Sequence, residues 1–162
     1  MKQEAFKNIF DMYFDAIRSY VYYRSGDQEM ATDLAQDVFM KLWEKNDRFD
    51  ASQVKGLLYK MAGDMFVSKI RRKAVEEKYQ QGLVLRFSDQ TPQDDMEYKE
   101  LKNRYEKALS LLGENQRVVF LMSRMEGLKY REIADRLDVS QKAVEKRMNQ
   151  ALAFLKQELM MK

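Results

Sequence analysis

Polar side chains near the carboxyl end recur at spacings that place them on one face of a helix. They are Gln141, Lys142, Glu145, Lys146 and Asn149. Gln and Asn can pair bidentately with adenine, Glu can accept a hydrogen bond from cytosine, and Lys can reach guanine or phosphate. Apolar residues on the other side of this segment predict a buried helical stripe. The stripe consists of Val144, Met148, Ala151, Leu152 and Leu155. The segment is therefore a candidate for reading the base edges of a nucleic acid.

The residues before this helix meet the requirements of a helix-turn-helix. A short helix is predicted over Arg131–Leu137, and small Ala134 would let a second helix cross it closely. Asp138 occupies the tight turn, where Asp tolerates a left-handed backbone better than most residues. Ser140 can cap the following helix, which runs from Gln141 to about Leu159. Such a motif presents the start of its second helix to the major groove of DNA.

Three further cations, Lys129, Arg131 and Arg147, can contact phosphate and fix the position of the motif without reading sequence. Residues 101–162 carry 13 basic and 8 acidic side chains, a net charge of +5, whereas residues 76–100 carry 3 and 7, a net charge of −4. On charge alone, ordinary solvated helix faces would be the better interpretation. The spacing of the small residue, turn, cap and apolar stripe favours DNA binding over a plain antiparallel helix pair.

The composition excludes several kinds of chemistry. The 162-residue chain contains neither Cys nor His, which rules out disulfides, thiolate nucleophiles and the usual zinc sites. Carboxylate chemistry with magnesium remains possible, but no substrate pocket is evident, and we expect no catalytic residues, metal, cofactor or small-molecule substrate. No apolar run approaches the roughly 20 residues of a membrane span. We therefore expect a cytoplasmic protein without direct membrane insertion.

The amino half predicts three amphipathic helices around one core. Apolar residues from Phe6 to Val21 follow a helical period, Gly26-Asp27 interrupts them, and Asp27 can cap the next helix. That helix buries a stripe from Ala31 to Leu42. A third helix begins near Gln53 and ends in the basic cluster Lys69-Ile70-Arg71-Arg72-Lys73.

Helical spacing is lost between residues 80 and 98, where turn formers and acids mix, and it then resumes. One later stripe includes Tyr105, Ala108, Leu109 and Leu112, and another includes Val118, Val119, Leu121, Met122 and Met125. The fold class predicted is all-α, with two small helical domains joined by a flexible acidic linker and a helix-turn-helix in the four-helix carboxyl-terminal domain. The domains are assigned to residues 1–76 and 100–162, and the linker to residues 77–99.

The carboxyl-terminal module resembles the fourth region of bacterial sigma factors, which reads the minus-35 promoter element. Its helix pair before the helix-turn-helix, from Ala108 to Leu121, looks like the supporting pair of that family. In the amino half, Asp33-Leu-Ala-Gln-Asp-Val-Phe39 followed by Lys41-Leu42-Trp43 is similar to the family's second region. Two modules in this order and the short length resemble the extracytoplasmic-function (ECF) subgroup.

The resemblance implies roles and partners. It assigns Asp33, Gln36 and Asp37 to the β′ clamp helices of core RNA polymerase, whereas from the residues alone they are an acidic solvated face. It also implies contact with the β flap, binding to promoter DNA, and control by an anti-sigma factor. Lys69, Arg71, Arg72 and Lys73 would contact DNA near the minus-10 element, together with Asp64. The family commonly has Asn in place of Asp64 and Asp in place of Ser68, so an unusual minus-10 sequence is expected.

Two other functions remain open from the residues. An ordinary helix-turn-helix regulator would use its amino half for effector binding or dimerisation and would bind two half-sites about 34 Å apart. An enzyme acting on nucleic acid through carboxylates is the more distant alternative. No apolar stripe beyond those of the core suggests dimerisation.

Overall fold

Seven α-helices make up the described part of the chain, which contains no β-strand. The computed structural model describes residues 3–45, 51–76 and 96–160. The helices are α1 (Gln3–Ser25), α2 (Gln28–Lys45), α3 (Ala51–Glu76), α4 (Met96–Leu111), α5 (Glu114–Glu126), α6 (Tyr130–Leu137) and α7 (Gln141–Met160). The all-α prediction is confirmed. Residues 77–95 of the predicted linker lie outside the described residues. Its last four residues, 96–99, form the first turn of α4.

Helices α1 to α3 form the amino-terminal region. Gly26 ends α1 with a positive φ of 69°, a conformation that glycine adopts without steric cost. The Asp27 carboxylate then accepts a hydrogen bond of 3.0 Å from the Met30 backbone N–H, so Asp27 caps α2 as predicted. The predicted α2 stripe is fully buried, with Leu34, Val38 and Leu42 at 1% exposure or less.

Helices α4 to α7 form the carboxyl-terminal region, in which α7 packs against α4, α5 and α6. Val144, Met148, Ala151 and Leu155 bury the inner side of α7. Two residues of the stripes predicted for this region are exposed rather than buried. Leu152 flanks the inner side of α7 and is 48% exposed, and Met125 lies in the last turn of α5, beyond its buried segment, and is 54% exposed.

The two regions pack against each other. Helix α5 contacts α1, helix α6 contacts α3, and the buried apolar side chains of both regions belong to one cluster. This packing was not expected from the sequence.

Candidate nucleic-acid interface

The helix-turn-helix has the local geometry that its residues predict. Asp138 adopts a left-handed conformation with φ 56° and ψ 49°, and the Val139 N–H donates to the Ala134 carbonyl over 3.1 Å. The Ser140 hydroxyl accepts a hydrogen bond of 3.0 Å from the Ala143 N–H and so caps α7. At the start of α6, the Lys129 N–H donates to the Glu132 carboxylate over 3.0 Å. Both helices of the motif therefore begin with a side chain that satisfies a free backbone donor.

The polar residues predicted to read bases all lie on the outer face of α7. They are Gln141, Lys142, Glu145, Lys146 and Asn149, and all five are exposed. Among the predicted phosphate contacts, Lys129 and Arg131 are exposed and Arg147 is half-buried. The first turn of α7 has no acidic residue and carries Lys142. The free N–H groups and the positive end of the helix dipole add to that charge, so this end of α7 is electropositive.

A groove of about 630 Å³, lined mostly by charged side chains, lies between α2 and α3. Asp64, Lys69, Arg71 and Arg72, four of the five residues predicted for the minus-10 side, line it, whereas Lys73 is exposed outside it. Asp37 and Lys41 of α2 and Ser68 of α3 also line the groove. Within the described residues, no carboxylate pairs with Lys69, Arg71 or Arg72, so these cations are available to an anionic ligand.

Asp33, Gln36 and Asp37 lie on the exposed face of α2, opposite its buried stripe. An apolar groove of about 750 Å³ begins beside Gln36, between α2 and the first turns of α1. Met40 and Trp43 line it from α2 and are 60% and 45% exposed. Phe6 lies across the groove with its ring centre 5.0 Å from that of Trp43.

The apolar groove was not predicted from the sequence, because only a buried stripe and a polar face were assigned to α2. Met40 and Trp43 lie four and seven residues after Gln36, which is the helical spacing of one face. That spacing is the signal that could have revealed it.

A second set of residues missed in the sequence joins the two regions. Arg117 of α5 is 4% exposed, and its guanidinium donates to backbone carbonyls at the end of α1. Nothing in the local pattern of α5 distinguishes this arginine from a surface cation. Its acceptors are main-chain atoms more than 90 residues away in the chain.

No helix among the described residues is long and apolar enough to cross a membrane. The same residues contain no group of His, Cys, Asp or Glu that could hold a metal ion.

Two models of one protein family match consecutive parts of the chain. Residues 9–75 match "Sigma-70 region 2", and residues 102–155 match "Sigma-70, region 4". The first match covers most of α1 to α3, and the second contains the helix-turn-helix. The order and extent of the two matches agree with the two helical regions of the structure.

Several characterised bacterial proteins are similar over most of their length. The "ECF RNA polymerase sigma factor SigW" of Bacillus subtilis is 26% identical, with 97% of this chain and 90% of that protein aligned. The corresponding values for SigM of the same organism are 26%, 82% and 82%. The "Ferric citrate uptake sigma factor FecI" of Escherichia coli is 26% identical over 91% of this chain and 86% of its own.

A solved structure shares the fold. It is the sigma factor RpoE from Bartonella quintana, in complex with the anti-sigma factor NepR. The TM-score is 0.72 at 24% identity, and the match covers 96% of this chain and 97% of that one. Both helical regions and their order are therefore common to the two proteins.

Proposed function

The chain belongs to the sigma-70 family, in its ECF subgroup, and we propose that its two helical regions read two separate promoter elements. A sigma factor confers promoter specificity on bacterial RNA polymerase and enables transcription initiation. In our proposal, α4 to α7 bind the minus-35 element, while α1 to α3 bind core polymerase and recognise and melt the minus-10 element.

The observation that carries the minus-35 assignment is the division of α7 into two faces. One face of α7 is buried in the core through Val144, Met148, Ala151 and Leu155. The five exposed polar residues lie on the opposite face, near the capped start of the helix. We propose that Gln141, Lys142, Glu145, Lys146 and Asn149 read base edges in the major groove. Lys129, Arg131 and Arg147 would contact phosphates and set the position of the helix.

The minus-10 assignment rests on the charges around the α2–α3 groove. Lys69, Arg71, Arg72 and Lys73 would bind the backbone of the upstream duplex, since phosphate contacts dominate affinity for DNA. Asp64 lines the groove beside them. An ionised aspartate only accepts hydrogen bonds, so it favours a base with an exocyclic amino group, whereas an asparagine can also donate. We therefore expect this chain to prefer a different minus-10 sequence from relatives that have Asn in place of Asp64.

Core polymerase would bind the outer face of α2. We assign Asp33, Gln36 and Asp37 as polar contacts to the β′ clamp helices, and the carboxyl-terminal region as the contact to the β flap. The RpoE of Bartonella quintana was solved with an anti-sigma factor, and this supports control of the present chain by a protein of that kind. The chain would have no catalytic activity of its own and would act in the cytoplasm with the polymerase.

We retain the division into residues 1–76, 77–99 and 100–162 as part of the proposal. Limited proteolysis tests it. Cleavage near Ser88–Asp95 with two resistant fragments is expected, and a single resistant core that includes this segment would contradict the division.

Run-off transcription tests the function. Purified chain is mixed with core polymerase and a promoter library, and transcripts that require both proteins are sequenced. A dimeric helix-turn-helix regulator, the alternative that the sigma-factor relatives do not favour, would bind DNA without core polymerase and would yield no polymerase-dependent selection. A nuclease would degrade the library. Only a sigma factor yields run-off transcripts with a shared promoter sequence.

A further inference from the structure

A glutamine of α5 holds α7 from the side. Nε2 of the Gln116 side chain donates to Oε1 of Gln150 over 3.0 Å, which joins the first turn of α5 to the middle of α7. Gln116 is half-buried, whereas Gln150 is exposed and lies one turn after Lys146. Neither glutamine is among the residues assigned to DNA or polymerase, so their hydrogen bond has a different role.

The glycine before α5 leaves room for this contact. Gly113 is the residue that caps the start of α5, with φ −57° and ψ 146°. A Cβ atom at position 113 would clash with Oε1 of Gln116, because the Gln116 amide occupies the space that a side chain would fill. The Gln116 side chain is therefore folded back over the start of its own helix while its Nε2 reaches α7.

The contacts of α7 act in different directions. Ser140 caps its start, and Arg104 of α4 donates to the Leu159 carbonyl at its end over 2.9 Å. These two contacts lie at the ends of the helix, so they fix its position along its axis more than its rotation. The inner face of α7 is apolar, and hydrophobic burial has no preferred direction. The Gln116–Gln150 hydrogen bond holds a side chain away from the axis, so it opposes rotation.

The rotation of α7 determines where its outer face meets DNA. The five residues proposed to read bases project from one rigid helix, so a rotation displaces all of their side chains together. Hydrogen bonds to base edges depend on distance and angle, so this displacement weakens them. We infer that Gln116 is a positioning residue for the minus-35 element, which fixes the rotation of α7 through Gln150 without contacting DNA itself. The inference rests on the proposed function, in which α7 reads bases.

Three substitutions remove the contact in different ways. Gln116→Ala removes the donor, and Gln150→Ala removes the acceptor. Gly113→Ala keeps both glutamines but fills the space of the Gln116 amide, and the backbone conformation at this position is one that alanine adopts without strain. Gln157→Ala makes the same change as Gln150→Ala at another exposed position of α7, outside the contact, and serves as the matched control.

Run-off transcription with core polymerase and the full-length chain provides the readout. Two promoters that differ only in a parental or a scrambled minus-35 element compete in one reaction, and the ratio of their transcripts measures discrimination. Unfolded chain lowers both yields equally, so a loss of stability alone leaves this ratio unchanged. Each of the three variants should reduce the ratio by about three- to ten-fold, the effect of one hydrogen bond, and Gln157→Ala should match the parent.

The pattern of relaxed positions separates positioning from direct contact. Promoter selection with each variant should show several minus-35 positions relaxed together, whereas the loss of a base contact relaxes one. The double variant Gln116→Ala/Gln150→Ala should lose no more discrimination than either single variant, and Gly113→Ala should add nothing to Gln116→Ala.

Additive losses in the double variants, relaxation confined to one position, or parental ratios in all three single variants would overturn the inference. A parent that does not discriminate between the two promoters would instead contradict the proposed function, and the inference with it.

Discussion

Single residues at turns and buried positions set the geometry that the function needs. Asp138 has φ 56°, a conformation that costs a residue with a side chain more than it costs glycine. The turn nevertheless forms, because the helices on both sides are capped and packed against the core. The conformational cost of Asp138 should therefore be measurable.

Asp138→Gly should raise the free energy of unfolding by up to about 1 kcal/mol, because glycine adopts the left-handed conformation without steric cost. Asp138→Val should lower it, since a β-branched side chain is disfavoured at positive φ. Denaturant unfolding followed by circular dichroism provides the measurement. Equal stability of the Gly and Val variants would contradict this explanation of the turn.

Glu126 introduces a pH dependence at the boundary between the regions. Burial raises the pKa of the Glu126 carboxyl above its ordinary value, although the Tyr23 hydroxyl and Arg136 act in the opposite direction. Burial also raises the pKa of Tyr59 to about 12. A raised carboxyl pKa means that the folded state binds the proton more tightly than the unfolded state.

The protonated Glu126 carboxyl therefore contributes to the free energy of unfolding. This contribution is fully present below the ordinary carboxyl pKa and is lost as the pH rises through the raised pKa. Glu126→Gln should be more stable than the parent at neutral pH, and the difference should shrink on acidification. Unfolding titrations between about pH 4 and pH 8 test this. Glu44→Gln, at an exposed position of α2, should follow the parental pH dependence. If the difference in the free energy of unfolding between Glu126→Gln and the parent does not change with pH, the raised pKa of Glu126 is contradicted.

At the scale of helices, the hydrophobic spacing in the sequence was sufficient to predict most elements and their inner faces. The stripes of α2 and α7 are buried as expected, apart from Leu152, because a period of 3.6 residues determines which side faces the core. Arg117 was not predicted to be buried, because its acceptors are backbone carbonyls of a distant helix and main-chain acceptors carry no sequence signature. Contact between the two regions was unpredictable for the same reason.

Gly63 of α3 lies where α3 approaches α1. A Cβ atom there would lie 3.4 Å from the Tyr20 hydroxyl and 3.5 Å from Nη1 of Arg24, which are ordinary contact distances. Gly63→Ala should therefore stabilise the protein by up to about 1 kcal/mol through helix propensity. Gly63→Leu should instead displace Arg24, whose guanidinium lies 4.6 Å from the centre of the Phe66 ring. Thermal unfolding of both variants distinguishes these effects.

The exposed face of α2 should tolerate charge reversal without unfolding. Asp37→Arg should weaken co-purification with core polymerase while changing the free energy of unfolding by no more than about 0.5 kcal/mol. Asp15→Arg, on the exposed side of α1, provides the matched control and should leave co-purification unchanged. If Asp37→Arg co-purifies with core polymerase as well as the parent does, Asp37 is not part of the polymerase-binding face.

At the scale of the whole molecule, the two regions carry separate surfaces that we propose to bind DNA, and they pack against each other through α1 and α5 and through α3 and α6. The outer face of α7 and the α2–α3 groove are both accessible in this arrangement. The order and helical nature of the regions followed from the sequence, but their relative arrangement required the structure.

We propose above all that α7 reads the minus-35 element when the chain is bound to polymerase. Promoter selection from a randomised library, with core polymerase and either the parent or Glu145→Ala, tests it most directly. The parent should select an upstream and a downstream element, and Glu145→Ala should relax one upstream position by about 1–3 kcal/mol while the downstream element is unchanged. Identical upstream sequences for the parent and for Gln141→Ala, Lys142→Ala and Glu145→Ala would contradict the account.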